Sequence, residues 1–136
     1  MDTPTPPPVN SIMESSLYVA DLAASTGFYQ RVFGFALNFA ADRLVSLAVR
    51  PGQVLLLFTK LGSVDLPRGA HHGDGHLHLA FAIDATQIEV WRAYLGELKI
   101  EIEDEIHWDR GGVSLYFRDL DGHLLEVASP GIWANF

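Results

Sequence analysis

The chain contains no cysteine. Disulfides, thiolate metal sites and a thiol nucleophile are therefore excluded, and any metal must be held by His, Asp or Glu. Basic residues are scarce: 9 Lys and Arg face 17 Asp and Glu, for a formal net charge of −8. A nucleic-acid surface needs clustered cations, and so does attachment to an anionic membrane. Neither partner is expected. No run of about 18 apolar residues exists, so no membrane span is expected either. Met1 to Val9 is rich in Pro and Thr and has no basic residue, unlike a secretory signal. It reads as a flexible arm on a cytoplasmic protein. Gly-x-Gly-x-x-Gly, a phosphate loop and Gly-x-Ser-x-Gly are all missing, which leaves nucleotide-dependent and serine-hydrolase chemistry without a motif.

What is present is an ordinary globular composition, 49% hydrophobic and 19% charged over 136 residues. That length suits one domain with a real core, or two small repeated modules. The most informative stretch is Ser114 to Glu126. Its ends are strand-like, and Asp119-Leu120-Asp121-Gly122 is turn chemistry, so a β-hairpin is expected. Alternation in the return strand sets Leu125 and Val127 on one face and Glu126 on the other, with Leu124 and Ala128. A carboxylate in apolar company needs a cation, a metal or a proton.

Taken in order, Ile12 to Val19 reads as a strand. Asp21 is a suitable helix N-cap, Leu22, Phe28, Tyr29, Val32 and Phe33 form an apolar stripe, and Gly34 is a natural stop. Three strands are expected next, at 35–40, 43–49 and 54–58. Lys60 to Gly75 is a loop rich in glycine. A strand at 76–83 carries His76 and His78 on one face. Thr86-Gln87-Ile88-Glu89 has capping-box spacing before a helix to about Leu98. Lys99 to Ile106 alternates as a half-exposed strand does, and the hairpin follows. Each half therefore reads β-α-β-β-β. The fold class is α+β: an arm at 1–10, a first βαβββ module at 11–60, a linker at 61–75, and a second module with a tail at 76–136. Superposing the halves puts Glu14 where His78 stands. Laying Leu55-Leu56-Leu57-Phe58 over Leu124-Leu125-Glu126-Val127 sets Leu57 opposite Glu126.

Four pieces carry a resemblance: Glu14 to Leu22, Phe28-Tyr29 with Gly34, His78 to Ile83, and Tyr116 to Glu126. In this order across a repeat, they are similar to the vicinal oxygen chelate superfamily, which includes glyoxalase I, bleomycin-resistance proteins, fosfomycin-resistance enzymes and extradiol dioxygenases. The resemblance spans nearly everything from Ile12 to Pro130. It implies paired modules curved around a cupped site, and a homodimer. It also implies metal ligands at Glu14, His78 and Glu126, with Leu57 at a fourth position that cannot bind metal.

One imidazole and two carboxylates suit a divalent Fe, Mn, Zn, Co or Ni, and three protein ligands leave room for water and substrate. Tyr18, Leu57, Trp108 and Tyr116 are the candidate pocket residues. His76 could replace or support His78, and His71, His72, His107 and His123 are expected to be solvated in loops or turns. The implied function is a metal-dependent lyase, isomerase or dioxygenase. It would grip two neighbouring oxygens of a small-molecule substrate and stabilise an anionic intermediate. The chain departs from classical glyoxalase I at Leu57, and from standard extradiol dioxygenases by having Glu14 in place of a histidine. The alternative is a metal-free protein that sequesters a drug or other small molecule, as bleomycin-resistance proteins do.

Overall fold

The computed structural model describes residues 3–60, 65 and 67–136. Part of the expected linker, at 61–64 and 66, lies outside the described residues, as do the first two residues of the expected arm. Residues 3–13 are exposed and form neither helix nor strand, so the first strand, β1 (Glu14–Val19), starts two residues later than its pattern suggested. Helix α1 (Leu22–Phe33) has the expected ends. Asp21 Oδ1 accepts from the Ala24 N–H at 3.0 Å, and Gly34 closes the helix at φ 71°. A left-handed residue after the last turn suits glycine, which has no Cβ to clash.

Three strands follow: β2 (Ala36–Ala40), β3 (Leu44–Arg50) and β4 (Gln53–Thr59). The second half repeats the order with β5 (His78–Ala82), α2 (Ile88–Glu97), β6 (Asp104–His107), β7 (Val113–Arg118) and β8 (Leu124–Ala128). The two sheets have orders β1-β4-β3-β2 and β5-β8-β7-β6, with the first and last strand of each module parallel. Parallel neighbours need a long crossover, and the helix plus two strands supply it. Among the described residues no helix is long and apolar enough to cross a membrane.

Two local expectations are corrected. The capping box before α2 does not form. Ala85–Gln87 is a 3₁₀ turn closed by the Gln87 N–H on the Asp84 carbonyl at 2.9 Å, which places Thr86 inside a turn rather than at a cap. The strand expected from Lys99 begins only at Asp104. Lys99 takes a left-handed φ of 58°, and the Ile100 N–H bonds the Leu95 carbonyl, so this stretch finishes the helix. Ile100 and Ile102 still pack against the core.

Leu17, Val19, Leu47, Leu55 and Leu57 from one sheet share a core with Leu115, Phe117, Leu125 and Val127 from the other. Phe33 of α1 packs its ring against Phe81, Trp91 and Phe117 of the second module. Each sheet therefore buries one face against the helices and turns the other outward. The outward faces carry Glu14, Ser16 and Tyr18 on β1, and His78, Tyr116 and Glu126 on the second sheet.

Leu57 is fully buried in the core and pairs with Leu17, so it does not line the site. Glu14 pairs with Val54 as His78 pairs with Leu124, and Ser16 pairs with Leu56 as Ala80 pairs with Glu126. The residue equivalent to Glu126 is thus Leu56. A one-residue slip in aligning the halves exchanges the two faces of a strand.

The Asp119–His123 turn binds the two modules together. Asp119 Oδ1 accepts the Asp121 and His123 N–H groups, and its Oδ2 accepts the Tyr29 hydroxyl at 2.6 Å. Burial, with Asp119 adding its charge, raises the Tyr29 pKa far above its usual value. Asp121 accepts from the Ala20 N–H at 2.8 Å and the Ser25 hydroxyl at 3.2 Å. His123 is buried rather than solvated. Its Nδ1 accepts the Leu77 N–H at 2.9 Å, so its Nε2–H donates to the Tyr18 carbonyl at 2.8 Å.

Truncating Leu57 to Ala should cost about 2–5 kcal/mol through the cavity it leaves, whereas Leu56→Ala should cost no more than about 1 kcal/mol. Urea unfolding of both variants reads the difference, and equal costs would contradict this register. Tyr29→Phe leaves a buried carboxylate oxygen without its donor and should cost about 1–3 kcal/mol, measured in the same way.

Candidate metal centre

The site is built on two parallel neighbours, β5 and β8. Glu126 is 6% exposed, and its neighbours Leu125 and Val127 are anchored in the core. Its Oε1 lies 3.2 Å from His78 Nε2. Its Oε2 accepts from the Ser114 hydroxyl at 2.5 Å, and Ser114 Oγ in turn accepts from the Trp108 indole N–H at 2.9 Å. Ser114 is completely buried. This chain of bonds fixes the carboxylate and the indole together.

His78 is half exposed, and its Nδ1 lies 2.9 Å from the Leu124 carbonyl oxygen. A carbonyl only accepts, so Nδ1 carries the proton and donates it there. In the neutral ring Nε2 then presents a lone pair. A lone pair facing a carboxylate oxygen at 3.2 Å is unfavourable unless a proton or a cation lies between them. The gap also matches the edge between two adjacent ligands each about 2.0–2.2 Å from one cation. The backbone bond at Nδ1 is the outer support that metal-binding imidazoles use. These donors fit a divalent metal.

The Tyr116 ring stacks on His78, with centroids 6.4 Å apart and planes at 29°. Burial pushes the Tyr116 phenol above its usual pKa, and the Glu126 carboxylate acts in the same direction. Trp108 and Tyr116 both line a hollow over His78 and Glu126.

Three other candidates lie elsewhere. Glu14 is exposed at the start of β1, in the other sheet. Among the described residues no group of three His, Asp or Glu gathers to hold a metal. Tyr18 faces outward from its own sheet, but it stacks on Phe58 and hydrogen-bonds His71 Nδ1, which closes the 67–75 segment over it. It does not reach the hollow of its own chain. His76 lies over Gly122, where a Cβ would come within 2.8 Å of its ring, and the imidazole paired with Glu126 is that of His78.

The sequence reading missed Ser114 as the residue that holds Glu126, and it missed the tail residues Ile132, Trp133, Asn135 and Phe136 as walls of the hollow. The Ser114 signal was present, because it alternates onto the face of Tyr116.

The doubled βαβββ fold defines the class. A family model described as the glyoxalase/bleomycin resistance protein/dioxygenase superfamily matches residues 9–127, and the chain belongs to that superfamily. A curated relative, the metallothiol transferase FosB of Lysinibacillus sphaericus, is 32% identical over 119 residues, covering 87% of this chain and 81% of the relative. The FosB of Bacillus licheniformis is 27% identical, covering 85% and 72%. Among solved structures, lactoylglutathione lyase from Agrobacterium tumefaciens superposes with a TM-score of 0.88 at 31% identity, covering 94% of this chain and 99% of that one. At 21% identity and a TM-score of 0.66, the fosfomycin resistance protein FosX of Listeria monocytogenes shares the fold. A point mutant of that protein was crystallised with Mn(II) and 1S,2S-dihydroxypropylphosphonic acid.

In metal-free protein, Glu126→Gln should leave stability unchanged or raise it by about 1 kcal/mol, because the amide N–H can donate to His78 Nε2 while its oxygen keeps the Ser114 bond. Chemical denaturation in chelator checks this. A clear loss of stability would show that a proton shared with His78 already holds the charge.

Proposed function

We propose that this chain is a metal-dependent enzyme acting on a small oxygen-rich molecule that it binds through two neighbouring oxygens. His78, Glu126 and the Glu14 of a second copy would hold the cation. The observation that carries this reading is the His78 Nε2 facing Glu126 Oε1 at 3.2 Å, with Nδ1 already committed to Leu124. A second copy is invoked because Glu14 stands on the outward face of one sheet and His78 with Glu126 on the outward face of the other. A twofold arrangement can lay one against the other.

A divalent cation there would supply Lewis-acid stabilisation of charge developing on substrate oxygens. The protein's part is positional. Ser114 holds one Glu126 oxygen, Leu124 fixes the His78 tautomer, and Tyr116, with its raised pKa, keeps its proton and can donate a hydrogen bond to a substrate oxygen. Two carboxylates would neutralise the ion. Lyase, isomerase and dioxygenase chemistry all begin from this arrangement. The family and the aromatic walls of the hollow also favour a second reading, metal-free sequestration of a small molecule.

Purified without a His tag, the protein should bind about one Mn(II), Zn(II) or Ni(II) per chain. His78→Ala and Glu126→Ala should abolish binding in calorimetry, and Glu14→Ala should weaken it strongly. Mixing Glu14→Ala chains with His78→Ala chains should restore a site, because a mixed dimer has one complete ligand set. No metal binding by the wild type, with ligand affinity intact in these variants, would favour sequestration.

A further inference from the structure

The hollow over His78 and Glu126 encloses about 610 Å³. That is ample for a small-molecule ligand. Its walls include the rings of Trp108, Tyr116, Trp133 and Phe136, and among the described residues no lysine or arginine lines it. Arg118 alternates onto the same face of the sheet, but its guanidinium is occupied. Nε and Nη2 bond Glu103 at 2.6 and 2.9 Å, and Nη1 bonds the Gly122 carbonyl at 3.0 Å. The chain as a whole carries a formal charge of −8.

The walls are built in advance. The Gly131, Ile132 and Trp133 N–H groups all donate to the Phe136 carbonyl at 3.0–3.1 Å, folding the tail into a hook. The hook is seated on the turn before β7, where the Gly112 N–H donates to the Gly131 carbonyl at 3.0 Å. The seat is too close for side chains: a Cβ at Gly112 would lie 2.8 Å from the Gly131 backbone. On the other side Trp108 is held by Ser114, the residue that also holds Glu126.

We infer that the site selects an uncharged, ring-bearing molecule with two adjacent oxygens, and that Trp133 and Phe136 determine this specificity. For the two oxygens the inference rests on the metal-centre reading; for the uncharged ring it is argued from the walls that this chain contributes. Beyond the metal itself, a dianionic phosphonate finds no lysine or arginine among the described residues of these walls, and neither do the carboxylates of a glutathione adduct. A flat neutral body instead buries its faces against aromatic rings, while its oxygens point at the carboxylate–imidazole end. Asn135 is the polar side chain that the tail contributes to the hollow.

Three probes separate body from charge: 3-hydroxyflavone, which is flat and neutral with adjacent oxygens; 1-naphthyl phosphate, a ring with a dianion; and 1,2-dihydroxypropylphosphonate, a dianion without a ring. Each is titrated against metal-free and Mn(II)-loaded full-length protein by tryptophan fluorescence and calorimetry. The flavone should bind about tenfold or more tighter than either anion in both forms, and tighter with Mn(II) than without. Exposed Trp133→Ala should weaken flavone binding about fivefold or more with Mn(II) affinity unchanged. Asn135→Arg should improve naphthyl phosphate binding without improving that of the flavone. Either anion binding as tightly as the flavone would overturn the inference, as would a Trp133→Ala variant that binds the flavone normally. Flavone binding that survives while Mn(II) fails to bind would sink the metal reading and leave the neutral-ring selectivity standing.

Discussion

The turn from Asp119 to His123, buried at both ends, holds the molecule's geometry. Three of its side chains reach out of the second module or across it: Asp119 to Tyr29, Asp121 to Ala20 and Ser25, and His123 to Tyr18 and Leu77. Buried polar groups are costly without partners and strongly directional with them. A shared apolar core alone would allow the two sheets to slide. These bonds specify one position, and the Leu77 N–H that His123 accepts is adjacent to His78. The turn that ties the modules together thus also sets where the metal-competent imidazole begins its strand.

From that anchor the site follows by strand pairing. Parallel registration of β5 on β8 brings His78 and Glu126 to 3.2 Å, and β7 supplies Ser114 and Tyr116 from the other side. The imidazole is bonded through one nitrogen and the carboxylate through one oxygen, so the two remaining donors converge on a point where a proton or a cation would reconcile their lone pairs. Such an arrangement is poorly suited to holding the fold together and well suited to receiving a cation. Resemblance to metallothiol transferases and to a lactoylglutathione lyase agrees with that chemistry at the level of the superfamily, and the walls around it are built largely of aromatic rings.

Much of this was legible in the sequence wherever the deciding contacts are local. Asp21 and Gly34 bound α1 because a cap and a left-handed stop act within one turn of the helix. The hairpin was readable because Asp119 bonds N–H groups two and four residues ahead. The face on which Glu126 stands follows from alternation alone. The same local rules failed where a slip of one residue reverses the outcome. Leu56 and Leu57 sit in an unbroken apolar run, which offers no alternation to fix register, and only the pairing with β1 shows that Leu57 is core.

The sequence by itself determined the doubled βαβββ order, the acidic cysteine-free chemistry and the residue types able to bind a metal, because these depend on composition and on neighbours a few positions apart. Tertiary structure alone decided that His123 is a buried bridge, that Tyr18 is covered by the 67–75 segment, that Glu14 stands apart from its proposed partners within one chain, and that the tail walls the hollow. Each of these joins residues far apart along the chain. Their contacts exist only after the sheets have paired and the core has closed, so no local pattern encodes them.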